Sequence, residues 1–131
     1  MNLKKLFSTL AAGSMMLALQ CTAFAAAPSV TLEAARSALE QSSAVVIDIR
    51  EPGEQTSGVA KGALLIPMGK LENRLVDITK SKTQPIMLIC ATQNRSAKLA
   101  EKLQAAGYSN VSYVQGGMSQ WTTRGLPMVK P

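Results

Sequence analysis

The stretch Pro85-Ile86-Met87-Leu88-Ile89-Cys90-Ala91-Thr92-Gln93-Asn94-Arg95-Ser96 changes character halfway along. Ile86–Ile89 is short, continuous and apolar, the pattern of a strand buried on both faces. Over residues 96–106, Leu99 and Leu103 fall on one helical face, and Gly107 supplies the stop. A strand that ends in cysteine and passes through a tight loop into a helix brings the thiol to the positive end of that helix. Arg95 adds a full charge within the same turn. Helix N-termini and neighbouring cations favour the thiolate form of cysteine. The competing reading is a small apolar residue closing a strand, because free cysteines are often buried and inert.

Helix and strand signals alternate outward from this point. Residues 31–41 read as a helix capped by Thr31, with Leu32, Ala35 and Leu39 on one face. Residues 44–49 read as a buried strand ended by Glu51-Pro52-Gly53, and residues 52–62 as a loop containing three glycines. Residues 63–66 give a second strand, stopped by Pro67. Leu71, Leu75 and Ile78 mark a helix over 69–79, and Val111–Val114 reads as another strand. Gly116-Gly117 then turns the chain into a short helix over 118–124. Strands separated by helices predict right-handed crossovers: an α/β domain with a small parallel sheet covered on both faces. Ligands of such sheets bind beyond the carboxyl ends of the strands, where Cys90 falls.

The N-terminus reads as an export signal over residues 1–25. Lys4 and Lys5 precede an apolar run over 6–19, and Ala23-Phe24-Ala25 gives a cleavage pattern. The expectation is a domain over residues 26–131 in the periplasm, without stable membrane insertion; an uncleaved anchor is the alternative. Loss of Lys4 and Lys5 takes the formal charge from +6 to +4. The remaining lysines are scattered and aromatics are few, which argues against nucleic acid as a partner. With no histidine, and Cys21 in the leader, zinc sites, histidine acid–base chemistry and Ser-His-Asp triads are largely excluded. No Cys-x-x-Cys dithiol is present. Neither metal nor cofactor is expected. Cys90 would be a lone thiol in an oxidising compartment, without a disulfide partner.

Four segments in order resemble the signatures of the rhodanese family. Val46-Ile47-Asp48-Ile49-Arg50-Glu51-Pro52-Gly53-Glu54 is similar to its acidic-x-Arg-Glu-Pro turn. Gly62-Ala63-Leu64-Leu65-Ile66-Pro67 is similar to its Gly-Ala-x-x-Ile-Pro segment. Asn94-Arg95-Ser96-Ala97 resembles the end of the catalytic loop. Gly116-Gly117-Met118-Ser119-Gln120-Trp121, followed by Gly125-Leu126-Pro127, resembles the C-terminal signature. Tyrosine-phosphatase-like loops place five residues between cysteine and arginine. Here Ala91, Thr92, Gln93 and Asn94 make four, a smaller ring suited to a single sulfur.

The resemblance implies a thiosulfate-type sulfurtransferase. Cys90 would be nucleophile and persulfide carrier, and Arg95 an anion stabiliser or a brace for the loop. Amides of residues 91–95 would cradle the sulfur, making Ala91, Thr92, Gln93 and Asn94 substrate-binding positions. The partners implied are a small anionic sulfur donor and a thiol or cyanide acceptor. Arg50 would draw in the donor, or else join Asp48, Glu51 and Glu54 in a salt-bridge network. Ala91 stands where the family often has a basic residue. Gln93 stands where glycine is usual, so either its backbone is strained or the loop differs slightly from the family's. Trp121 is expected to be a packing anchor. The alternative function is a non-catalytic rhodanese-like module that binds a partner or senses oxidants.

Overall fold

The computed structural model describes residues 26–131, so the leader expected over residues 1–25 lies outside the described residues. The elements run β1 (Ser29–Val30), α1 (Leu32–Gln41), β2 (Val45–Asp48), α2 (Pro52–Gln55), β3 (Val59–Ala60), β4 (Leu64–Leu65), α3 (Met68–Ile78), β5 (Ile86–Ile89), α4 (Asn94–Ala105), β6 (Val111–Val114), α5 (Gly117–Thr123) and β7 (Met128–Val129). Five strands form one parallel sheet in the order β1-β6-β5-β2-β4, and β3 pairs antiparallel with β7 beside it. Among the described residues no helix is long and apolar enough to cross a membrane.

Strand alternation sorts the core into two layers. Ile47 and Ile49 of the β2 segment, and Ile86, Leu88 and Cys90 of the β5 segment, face Leu71 and Leu75 of α3 and Leu99 and Leu103 of α4. Val46 and Ile89 face the other way, onto Leu32, Ala35 and Ala38 of α1 and Met118 and Trp121 of α5. Each leucine fully buried on the first face contributes roughly 2 kcal/mol of burial free energy. Because every strand of the sheet is parallel, Arg50, Cys90 and Gln115-Gly116 all emerge at one edge.

The α/β fold with a central parallel sheet and helices on both faces is as the sequence predicts. The segment read as a loop, residues 52–62, differs. It contains the helical turn α2 and the two-residue strand β3. Pro52 takes the first helical position, and Glu51 and Glu54 close a reciprocal capping box. Helix α4 also begins two residues earlier than its apolar spacing predicts, at Asn94. Trp121 is buried, and its indole N–H donates to the Pro127 carbonyl at 3.1 Å, in keeping with a packing anchor.

Candidate active site

Cys90 follows the central strand β5, and its side chain continues the Ile86–Leu88 row toward α3 and α4. The next peptides turn their carbonyls toward the start of α5. Met118 N–H donates to the Cys90 carbonyl at 2.8 Å, and Ser119 N–H donates to that of Ala91 at 2.9 Å. These bonds satisfy two of the amides that any helix N-terminus leaves unpaired. Gly117 makes the approach possible. A Cβ there would lie 2.2, 2.5 and 2.7 Å from the carbonyl oxygens of Thr92, Cys90 and Ala91.

In a trans peptide the C=O and the following N–H point in opposite directions. Turning the carbonyls of 90–92 toward α5 therefore turns the amides of Ala91, Thr92 and Gln93 away from it. None of these three amides donates to a protein acceptor among the described residues. The opening amides of α4 continue the row, since they too lack intrahelical acceptors. A concave run of free N–H groups is an anion-binding device.

Ser96, fully buried in the first turn of α4, carries a hydroxyl 3.3 Å from the Cys90 sulfur. The same hydroxyl donates to the Gln93 carbonyl at 3.1 Å. It has one proton, so with the thiol protonated the sulfur donates to Ser96. Rotating the hydroxyl would give a thiolate a donor in place of the Gln93 carbonyl. Sequence reasoning gave Ser96 no role. The signal was present as a hydroxyl residue at the start of the helix that follows the cysteine. Cys90 is only 1% exposed and belongs to the apolar layer under α3 and α4, but one side of it is polar. A hydroxyl and a helix N-terminus adjoin it.

Arg95 points away from a simple anion-binding role. Its two terminal nitrogens donate to both oxygens of Glu54, at 2.9 and 2.6 Å. Glu54 also accepts from the Glu51 amide at 2.9 Å, so the carboxylate that holds Arg95 is itself fixed by the α2 capping box. The Arg95 guanidinium, and then the Glu51 amide, hold the Glu54 carboxyl at a pKa of about 2. Glu54 in turn raises that of Arg95. The folded value of Glu54 lies below its ordinary 4.5. The stabilisation is therefore complete above that range and is lost as pH falls through the folded value. We expect wild type to exceed Glu54→Gln in urea midpoint at pH 6, and the difference to shrink toward nothing near pH 2. An equal difference at both pH values would assign the effect to shape and not to charge.

Arg50 is buried and fully engaged. It donates to both Asp48 oxygens, at 2.7 to 3.2 Å, and to the carbonyls of Glu54 and Gly58. At 6% exposure it braces the β2–α2 turn, so the role of drawing in a donor from solvent is not the one its geometry serves. At Gln93 the second alternative holds: with φ −167° and ψ −9° the backbone is outside the left-handed region, and no left-handed strain arises. Its side-chain oxygen accepts from the Gly116 amide at 3.0 Å, tying the Cys90 loop to the β6–α5 turn. Thr92, Gln93 and Asn94 are exposed and Ala91 half-buried, so these expected contact positions form the outer surface of the loop.

A covered parallel sheet with a cysteine at its central strand end, before a helix N-terminus, defines a class of α/β proteins that carry a thiol at the carboxyl edge of the sheet. Residues 31–124 match the Rhodanese-like domain, and the chain belongs to the rhodanese-like family. It is 32% identical over 87 residues to a protein of Allochromatium vinosum named Sulfurtransferase, covering 66% of this chain and 79% of that one. It is 30% identical over 91 residues to an uncharacterized protein of Synechocystis; the match takes in 70% of this chain but half of that protein. Among solved structures, a rhodanese-related protein from Thermoplasma volcanium superposes with a TM-score of 0.63 at 30% identity, covering 78% of this chain and 97% of that one. The polysulfide-sulfur transferase homodimer of Wolinella succinogenes gives 0.67 at 26% identity, covering 80% of each.

Proposed function

We propose that this protein is a sulfurtransferase carrying sulfur as a persulfide on Cys90. The observation that supports this reading best is the turning of the 90–92 carbonyls onto α5, which leaves consecutive amides free beside the thiol. A persulfide or a departing anion needs such donors, preorganised and costing no rearrangement. The Cys90 thiolate attacks the outer sulfur of a donor such as thiosulfate. The new Sγ–S bond forms as the donor's S–S bond breaks, and the electron pair leaves on sulfite. Cyanide or a thiol acceptor then attacks the outer sulfur of the persulfide and restores the thiolate. Ser96 donates to the sulfur whenever it is anionic, and Arg95, held by Glu54, fixes the loop's far end. Sulfurtransferases among the similar proteins support the same chemistry. The leader pattern in residues 1–25 supports a periplasmic place of work.

The low exposure of Cys90 favours a second reading, a rhodanese-like module that binds or senses without turnover. Steady-state thiocyanate formation separates the two. With thiosulfate and cyanide both varied, a covalent carrier gives parallel reciprocal plots. Absence of turnover with any sulfur donor would leave the binding module.

A further inference from the structure

The charges around the Cys90 loop are arranged in closed pairs. Arg95 is the loop's own cation, and both its terminal nitrogens lie on Glu54. Arg50 lies on Asp48, and Arg124, at the end of α5, lies on Glu33 at the start of α1. Ala91 brings no charge, and Glu51 adds a carboxylate beside Glu54. Lys70 and Lys98, near the starts of α3 and α4, are exposed and stand in no ion pair among the described residues. Lys98 lines the groove between those helices with Met68 and Glu72.

Resting on the sulfurtransferase reading, we propose that Glu54 is a specificity-determining residue that discriminates among sulfur donors by charge. Its carboxylate offsets the Arg95 charge beside Cys90. Singly charged sulfane donors, such as thiosulfonates and persulfides, are thereby favoured over the thiosulfate dianion. The discrimination is electrostatic, so it scales with donor charge: a fixed anion repels a dianion twice as strongly as a monoanion. Both donors undergo the same step. From methanethiosulfonate, sulfur passes to the Cys90 thiolate, the S–S bond breaks, and the electron pair leaves on methanesulfinate. The Glu54 carboxylate stays ionised across neutral pH, so the discrimination persists there.

The test uses Glu54→Gln, which retains a residue able to close the capping box while removing the charge. Second-order rate constants at Cys90 are measured for three probes. These are iodoacetamide, which is neutral; methanethiosulfonate, a monoanion; and thiosulfate, a dianion. Glu54 also holds Arg95, so the iodoacetamide rate reports any change in the thiol or the loop. Relative to it, at about 0.01 M salt and a charge separation of about 8 Å, the variant should raise the second rate about twofold and the third about fourfold. The gains should vanish above about 0.5 M salt. An equal change for all three probes would show that Glu54 acts through the thiol or the loop's shape, and would overturn the proposal. So would no change in any rate. If neither donor transfers sulfur while iodoacetamide still alkylates Cys90, the sulfurtransferase reading itself fails. Iodoacetate, a monoanion, compared with iodoacetamide then still tests Glu54, with the same twofold gain expected and its absence overturning the proposal.

Discussion

Cys90→Ser should fold like wild type and lose sulfur transfer by at least ~100-fold, because a serine hydroxyl is neither ionised near neutral pH nor able to hold a transferable sulfur. The size of the effect follows from Cys90 being the free cysteine of the described domain. No second thiol is there to take over. Folding should survive because a hydroxyl already adjoins the sulfur. Ser96 Oγ, 3.3 Å from the sulfur, can pair with a serine hydroxyl in its place. Thermal melting and thiocyanate release, measured on the same preparation, check both halves. Turnover above a few per cent of wild type would remove Cys90 from the mechanism.

The second large effect is expected at Gly117, which touches no substrate. Its φ of +58° and the three loop carbonyls around it leave no room for a methyl group. In Gly117→Ala the backbone of Cys90, Ala91 and Thr92 must move, and the bonds from Met118 and Ser119 are stretched with it. A cost of about 2–4 kcal/mol follows from overlap added to left-handed strain, which is a large part of a small domain's stability. The melting temperature should fall by roughly 10–20 °C, and activity should be largely lost even well below the melt, because the carbonyls set the direction of the amides. Gly125→Ala is the control. Its φ is also positive, +63°, but nothing lies within 4 Å, so only left-handed strain of about 1 kcal/mol applies. Similar losses in the two variants would mean that close packing on the loop is unimportant.

The two sites explain what the sequence makes legible and what it does not. Strands β2, β5 and β6 stand out because four successive residues, largely apolar or β-branched, must be buried on both faces. Strands β1, β3 and β7 have two residues each, too few to show a period, and they are defined by partners far along the chain. Helix α2 was hidden by Pro52-Gly53, which reads as a terminator although Glu51 and Glu54 form the cap that starts a turn.

In the site, Cys90 and Arg95 are legible because one short loop holds both. Glu54 lies 41 residues from Arg95, and only the parallel order of β2 and β5 brings them together. Arg50 was ambiguous because a charged residue after a strand can turn outward or fold back. The buried Asp48 two residues earlier decides in favour of bracing. At Gln93 the analogy with a glycine position leaves two outcomes open, and the structure takes the one without left-handed strain, with a side-chain bond that glycine could not make.

The central claim is that Cys90 carries sulfur covalently, and the mass of the protein tests it most directly. After brief exposure to thiosulfate or methanethiosulfonate and removal of the donor, the intact domain should gain about 32 Da, one sulfur atom, located on the peptide that contains Cys90. Cyanide should remove that mass and return the protein to its starting state, with one thiocyanate formed per sulfur lost. An unchanged mass with both donors, or a gain that cyanide does not discharge, would contradict the account.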